Sequence, residues 1–308
     1  PFASEIFAMR QKPLLLLPLF PACLLALSTG CGDGAKGANG AGAASGTLYL
    51  NGNVHNSIYS FDLASGAVKK LVAGADPFIT PEGTILCKNS TTGDLGEYSV
   101  DGTTFGTILT QNDQEPFTDT FDDNIQNPRL SPDGQYVVYE GQFGYKFDLY
   151  VVKRATGALV ASFTTDVTGG GWERPTFTPD GRLVVAGANA NPGLYVSDAA
   201  FTTFTRFDAG LAAPHQPAVS PDGQRVAFVL NDHIYVVNLD GTGLSQITTS
   251  DGKESWPSWS PDGKSLAIYG KNSILLVPLG DGEVVDLKDL NDKFVVFDST
   301  TSGQMHWR

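Results

Sequence analysis

Apolar residues along this chain gather in short runs bounded by Pro, Asp and Gly. Tyr136-Val137-Val138-Tyr139, Leu183-Val184-Val185, Val226-Ala227-Phe228-Val229 and Leu266-Ala267-Ile268-Tyr269 each follow a Pro-Asp-Gly corner. Runs of this length between turn residues predict strands. A second set reads Ile58-Tyr59-Ser60-Phe61, Leu149-Tyr150-Val151-Val152, Leu194-Tyr195-Val196, Ile234-Tyr235-Val236-Val237 and Ile274-Leu275-Leu276-Val277. Most of these lead into Gly turns such as Ser65-Gly66, Thr156-Gly157 and Asp240-Gly241, and a further short strand follows, as in Leu244-Ser245-Gln246-Ile247.

The corners belong to a repeat: Pro, any residue, an apolar residue, Ser or Thr, Pro, an acid, Gly. It occurs as PFITPEG, PRLSPDG, PTFTPDG, PAVSPDG and PSWSPDG, beginning at Pro77, Pro128, Pro175, Pro217 and Pro257. The steps between these prolines are 51, 47, 42 and 40 residues, which fits blades of about 40–45 residues with some longer loops. In the corner, Pro presets φ, the acid bonds nearby backbone, and Gly takes a positive φ. Four hairpin-linked strands per unit make a propeller blade; they are lettered a to d from the centre outward. The first motif Pro falls in strand a, which suits an innermost strand paired on one side only. The segment Gly46–Leu50 looks like a strand b lacking its strand a, and Gln304–Arg308 looks like an orphan strand a, with Trp307 aligned to Trp259, Val219 and Phe177. The expectation is an all-β, six-bladed propeller of four-stranded antiparallel blades. It would be closed by pairing of N- and C-terminal strands; Phe294–Asp298 could hold a spare strand.

Composition agrees. The 308 residues include 35 Gly and 18 Pro with only 17% charged residues, a balance suited to strands and tight turns. The formal net charge of −13 argues against nucleic acid, whose binders need a basic patch. Three Cys are too few for a disulfide framework.

Residues 9–31 read MRQKPLLLLPLFPACLLALSTGC. Arg10 and Lys12 precede an apolar stretch from Leu14 to Leu27, about 14 residues, short of the roughly 20 needed to span a bilayer and right for a secretory signal. The eight residues before Met9 read as an upstream remnant. Ser28-Thr29-Gly30-Cys31 resembles the lipobox of bacterial lipoproteins, although Ser28 stands where Leu is usual and Pro18 and Pro21 interrupt the stretch. The resemblance implies lipidation at Cys31; a plain cleaved signal is the alternative. The expected division is 1–30 signal peptide, 31–46 Gly/Ala-rich tether and 47–308 propeller. The tether would reach roughly 20 Å. Cys87, inside Thr84-Ile85-Leu86-Cys87, reads as a buried free thiol.

The SPDG corners and their spacing resemble the TolB-type, WD-like propeller repeat, over essentially all of residues 46–308. The resemblance implies the fold more than an activity. A leader and tether precede the propeller here, where TolB carries an α/β domain, so its whole role does not transfer. Peptidases of the prolyl oligopeptidase type carry propellers too, but no G-x-S-x-G elbow occurs in these residues. Oligogalacturonate lyases use a similar propeller with metal-binding histidines.

Propeller ligands usually sit at the channel mouth on the face made by the d–a and b–c connections. The residues just before each motif Pro fall there: Asp76, Asn127, Arg174, Gln216 and Trp256, with Glu173 and His215 one position earlier and His306 near the end of the closing strand. The b–c loops add His55, Phe143, Tyr145 and His233. Trp259 reads as blade-packing core and Trp256 as exposed near the channel. A metal or acid–base site could be built from His55, Glu173, His215 and His306, although no close His spacing forces them together. Asp119, Asp122 and Asp123 offer oxygen ligands for calcium, but a solvated acidic loop is the simpler reading. No cofactor and no catalytic set are assigned; a calcium or transition-metal ion is unsupported. The preferred function is a non-catalytic protein- or glycan-binding propeller, lipid-anchored in the cell envelope on its periplasmic side or outer surface, and monomeric. The alternative is a metal-assisted polysaccharide lyase or hydrolase.

Overall fold

The computed structural model describes residues 44–52, 57–110, 124–143, 146–163, 171–188, 191–270, 273–287 and 305–308. The chain divides into two units, Pro1–Gly37 and Ala38–Arg308, and every described residue lies in the second. The signal, Cys31, His55, Tyr145, the Asp119–Asp123 acids and Phe294–Asp298 lie outside the described residues.

Among the described residues every regular element is a strand. Blade 1 contains β1 (Thr47–Asn51), β2 (Ile58–Asp62) and β3 (Val68–Val72). Blade 2 contains β4 (Ala75–Ile79), β5 (Ile85–Lys88), β6 (Leu95–Tyr98) and β7 (Phe105–Leu109). Blade 3 contains β8 (Asn124–Leu130), β9 (Tyr136–Phe143), β10 (Lys146–Lys153) and β11 (Leu159–Phe163). Blade 4 contains β12 (Gly171–Phe177), β13 (Leu183–Ala188), β14 (Gly193–Ser197) and β15 (Phe204–Arg206). Blade 5 contains β16 (His215–Val219), β17 (Arg225–Leu230), β18 (His233–Asn238) and β19 (Ser245–Gln246). Blade 6 contains β20 (Glu254–Trp259), β21 (Ser265–Gly270), β22 (Ser273–Pro278) and β23 (Val285–Asp286). The inner strand of blade 1 is β24 (Met305–Trp307). The six-bladed count and the terminal closure are as expected from the repeat. Blades 3 and 4 also touch through one parallel bridge, Phe147 to Gly171.

The corner motif explains how each blade starts. Ser131, Ser220 and Ser260 donate their hydroxyls to Asp133, Asp222 and Asp262 at 2.5, 2.5 and 2.6 Å. The same carboxylates accept the amides of Gln135, Gln224 and Lys264 at 3.0, 3.0 and 3.1 Å. These bonds hold all three carboxyls below the usual range. The motif glycines close the corner at φ of 67° to 89°, where a side chain would be strained. The c–d turn then docks on the a–b turn: Arg154, Leu239 and Leu279 donate their amides to the carbonyls of Gln135, Gln224 and Lys264 at 2.8, 2.8 and 2.9 Å. Strands b and c are nearly continuous apolar runs because each blade packs between two neighbours. Val137, Leu183, Val226 and Leu266 are fully buried. Cys87 is a buried free thiol, and burial pushes its pKa up.

Closure is specific. Leu48, Tyr49 and Leu50 of β1 pair with Trp307, His306 and Met305 of β24. Thr47 and Arg308 exchange two backbone bonds, of 2.6 and 2.9 Å. Trp307 is buried; its indole N–H donates to the Ser45 carbonyl (3.0 Å) and its amide to the Ser258 hydroxyl of blade 6 (3.1 Å). The Arg308 guanidinium donates to the carbonyls of Thr80 and Pro81 in blade 2 at 2.5 and 2.7 Å. One short strand thus ties three blades together.

Trp307→Ala is expected to destabilise the domain by about 3–5 kcal/mol, the usual cost of truncating a buried Trp, read as a shifted urea midpoint. An unchanged midpoint would mean that β24 contributes nothing to closing the ring.

Candidate functional site: the channel and its mouth

Each residue before a motif Pro adopts a left-handed backbone: Asp76 (φ 56°), Asn127 (51°), Arg174 (57°), Gln216 (54°) and Trp256 (55°). Such a conformation costs on the order of 1–3 kcal/mol for a non-glycine residue and persists only where its surroundings enforce it. The register between strands a and b shifts at each of the five sites. The following Pro has no N–H, so the ladder is already broken there. The freed amide turns to the neighbouring blade.

At four of the five sites two kinds of acceptor receive it. Where strand b of the preceding blade carries a carbonyl-bearing side chain at the matching position, that side chain accepts: Asn51 takes the Asp76 amide (3.0 Å), and Glu140 takes the Arg174 amide. The matching position is Lys88 in blade 2 and Val229 in blade 5, which cannot accept. There the preceding left-handed residue accepts instead: Asp76 takes the Asn127 amide (3.3 Å), and Gln216 takes the Trp256 amide (2.7 Å). The mouth is therefore a belt of cross-blade bonds.

This belt corrects one expectation. Trp256 is buried, 8% exposed, and the Arg174 guanidinium lies 4.3 Å from its ring centre. Asp76 and Asn127 are buried as well, because they serve the belt rather than face solvent. Trp259 is buried as expected, its indole N–H on the Ala218 carbonyl at 2.8 Å.

A second ring lies below. The variable residue after each motif Pro faces the channel: Phe78, Arg129, Thr176, Ala218 and Ser258, with His306 supplying the sixth place. Thr176, Ala218 and Ser258 are small and lie on consecutive blades. They leave a cavity of about 220 Å³ that also touches Arg174, Gln216, Trp256 and Trp259. His306 stacks on Phe78 at 4.6 Å, and its Nδ1 accepts the Ile79 amide at 2.7 Å. Burial, with Arg129 and Arg308 nearby, holds His306 down to about 3, so its imidazole is neutral.

Burial pushes Glu140 up to about 6, opposed by Arg174, and Asp76 is raised for the same reason. Burial pushes Arg129 down to about 10, opposed by Asp76 and Glu140. The Asn127 side chain also lowers Glu140, and the Arg174 Nη1 is buried with no hydrogen-bond partner. Among the described residues, no three His, Cys, Asp or Glu converge as a metal site. His215 contacts the Ala213 carbonyl (3.3 Å), and His233 faces Glu254 (3.1 Å). Glu173 pairs along β12 with β13. Neither Arg129 nor Glu140 was singled out from the sequence. The signal for Glu140 is an acid directly after the apolar run Tyr136-Val137-Val138-Tyr139 of strand b. For Arg129 it is the unconstrained motif position.

With six blades around one channel, the molecule is a closed β-propeller. The TolB beta propeller domain model matches residues 111–273, more than half of the chain, and the chain belongs to that family. A protein TolB homolog from Chlorobium luteolum is 32% identical over 124 residues, 35% of this chain and 27% of that protein. Dipeptidyl-peptidase 5 from Porphyromonas gingivalis is 30% identical over 91 residues, 26% of this chain and 12% of that protein. The chain thus spans only about an eighth to a quarter of these relatives. A putative TolB structure from Agrobacterium tumefaciens superposes with a TM-score of 0.56 at 18% identity, covering 80% of this chain and 89% of that chain. At that identity the likeness shows the fold alone.

The depressed His306 carries a pH signature. A base whose native pKa lies below its ordinary 6.5 supports the fold fully above pH 6.5. That support is lost as the pH falls toward 3, because only the unfolded chain takes the proton. Glu140 acts in the opposite sense: its stability contribution falls as the pH rises toward 6. Comparing wild type with His306→Asn, which keeps an acceptor for the Ile79 amide, isolates the imidazole. Between pH 6.5 and 4 the wild-type unfolding free energy should fall faster by about 1.4 kcal/mol per pH unit. Parallel curves would show that His306 titrates normally in the folded protein.

Proposed function

We propose that this chain is a non-catalytic binding module of the cell envelope, held to a membrane by lipid at Cys31, that engages a protein partner at the channel mouth. The observation that carries the reading is the belt itself. Five left-handed backbone positions, four of them bonded through their amides to the preceding blade, hold Arg174, Gln216 and their neighbours around a cavity at the centre of the ring. A surface ordered before it meets its ligand loses little entropy on binding. Membership in the TolB propeller family and the similarity to a TolB homolog support a protein partner in the envelope. The leader ending at Cys31 supports the anchor.

Two measurements test this. Cells fed an alkyne fatty acid should label the wild-type chain and leave Cys31→Ser unlabelled; equal labelling would remove the anchor. A photocrosslinker at Lys253, on the mouth side beside the blade 5 b–c turn, should capture a discrete envelope partner. The same group at exposed Gln224, in an a–b turn on the other face, should not. Equal capture from both positions would overturn the assignment to the mouth.

A further inference from the structure

Three of the chain's arginines, Arg154, Arg182 and Arg206, hold carboxylates at 2.6, 2.9 and 2.8 Å. Arg174 does not. Among the described residues it forms no ion pair, although it is partly buried and lines the channel cavity. Its acidic neighbours, Glu140 and Asp76, oppose its charge without forming an ion pair with it. Glu140 Oε1 accepts Arg174's own backbone amide, and the Asp76 oxygens accept from Asn51 and from the Asn127 amide. The guanidinium rests on Trp256 instead, with Nη1 buried and lacking an acceptor. Arg129 borders the same cavity from blade 3, 5.6 Å from the Phe78 ring centre.

We propose that this cavity is a carboxylate site that takes the C-terminal end of a peptide with an apolar last residue, its charge held by Arg174 and Arg129. The proposal rests on the binding-module reading and names the chemistry of the partner. Four features support it. A planar guanidinium already parked on an aromatic ring meets a planar carboxylate with little further ordering. Both cations sit in a poorly solvated wall, where an anion gains most. The rest of the lining joins apolar surface from Trp259, Phe177, Val219 and the motif prolines to the polar groups of Thr176, Gln216, Ser258 and His306, so a terminal apolar side chain and the peptide amides behind it both find partners there. The space opened by Thr176, Ala218 and Ser258 lies between inner strands and is narrow, about 220 Å³. A chain terminus can enter it, whereas an internal acidic residue would have to bring chain in and out again. The Ser258 hydroxyl, which accepts the Trp307 amide, keeps its own proton to donate.

The test uses the full chain and three ligands: acetyl-Ala-Ala-Leu with a free carboxylate, the same peptide as its amide, and a trimer of galacturonate. Binding is read by calorimetry and by tryptophan fluorescence, since Trp256 lies under the guanidinium. The free acid should bind at least tenfold more tightly than the amide. Arg174→Met, which keeps a stem over Trp256 without the charge, should lose at least tenfold for the acid. Ala218→Leu, which fills the space and leaves both charges, should lose as much. Arg129→Gln serves as the second charge variant if Arg174→Met melts early. Equal binding of acid and amide, unchanged binding in these variants, or preference for the galacturonate trimer would each overturn the proposal. If no peptide binds while the Lys253 crosslinker still captures a partner, the carboxylate assignment fails and the binding-module reading stands.

Discussion

The whole channel depends on one displaced amide. A proline in each inner strand removes a ladder donor, and the residue before it is driven into a left-handed conformation. At four of the five sites its N–H points away from its own blade and finds an acceptor in the preceding one. Because a buried unpaired amide costs about 1–3 kcal/mol, neighbouring blades cannot move apart freely at their inner edges. What looks like a defect in every sheet is the joint between sheets. The acceptor differs from blade to blade, and so does the chemistry left over at the mouth.

That leftover chemistry is uneven around the ring. Blades 2 to 4 bring two acids, two arginines and the Asn127 side chain together at the channel. Blades 4 to 6 contribute small residues and the space. The acids and the arginines oppose one another's charge. Glu140 serves a backbone amide and Arg174 lies on an indole, so the charged side of the channel and its open side differ in chemistry.

The fold was legible because the corner motif is dense in residues with single conformational meanings. Pro, Asp and Gly at fixed offsets allow few alternatives, and five copies plus an orphan Trp307 strand gave the blade count. The mouth was legible in position but not in exposure. Trp256 sits at the expected place, yet nothing local announces that Arg174, two blades away, covers it. Apart from His306, the second ring was missed because it occupies the motif position that tolerates anything: Phe78, Arg129, Thr176, Ala218 and Ser258 share no residue type. A position free of turn and packing demands is the one where channel chemistry varies. Glu140 was hidden by the apolar run that it ends.

The hook at the end of the propeller has a temporal meaning. Trp307 bonds to Ser45 across 262 positions of sequence, and β1 has no inner partner until that segment has been synthesised. During translation the first blade therefore waits with an open edge while the other five can assemble in order. Completion of the ring waits for Met305–Trp307, the strand most distant in sequence from the blade it joins.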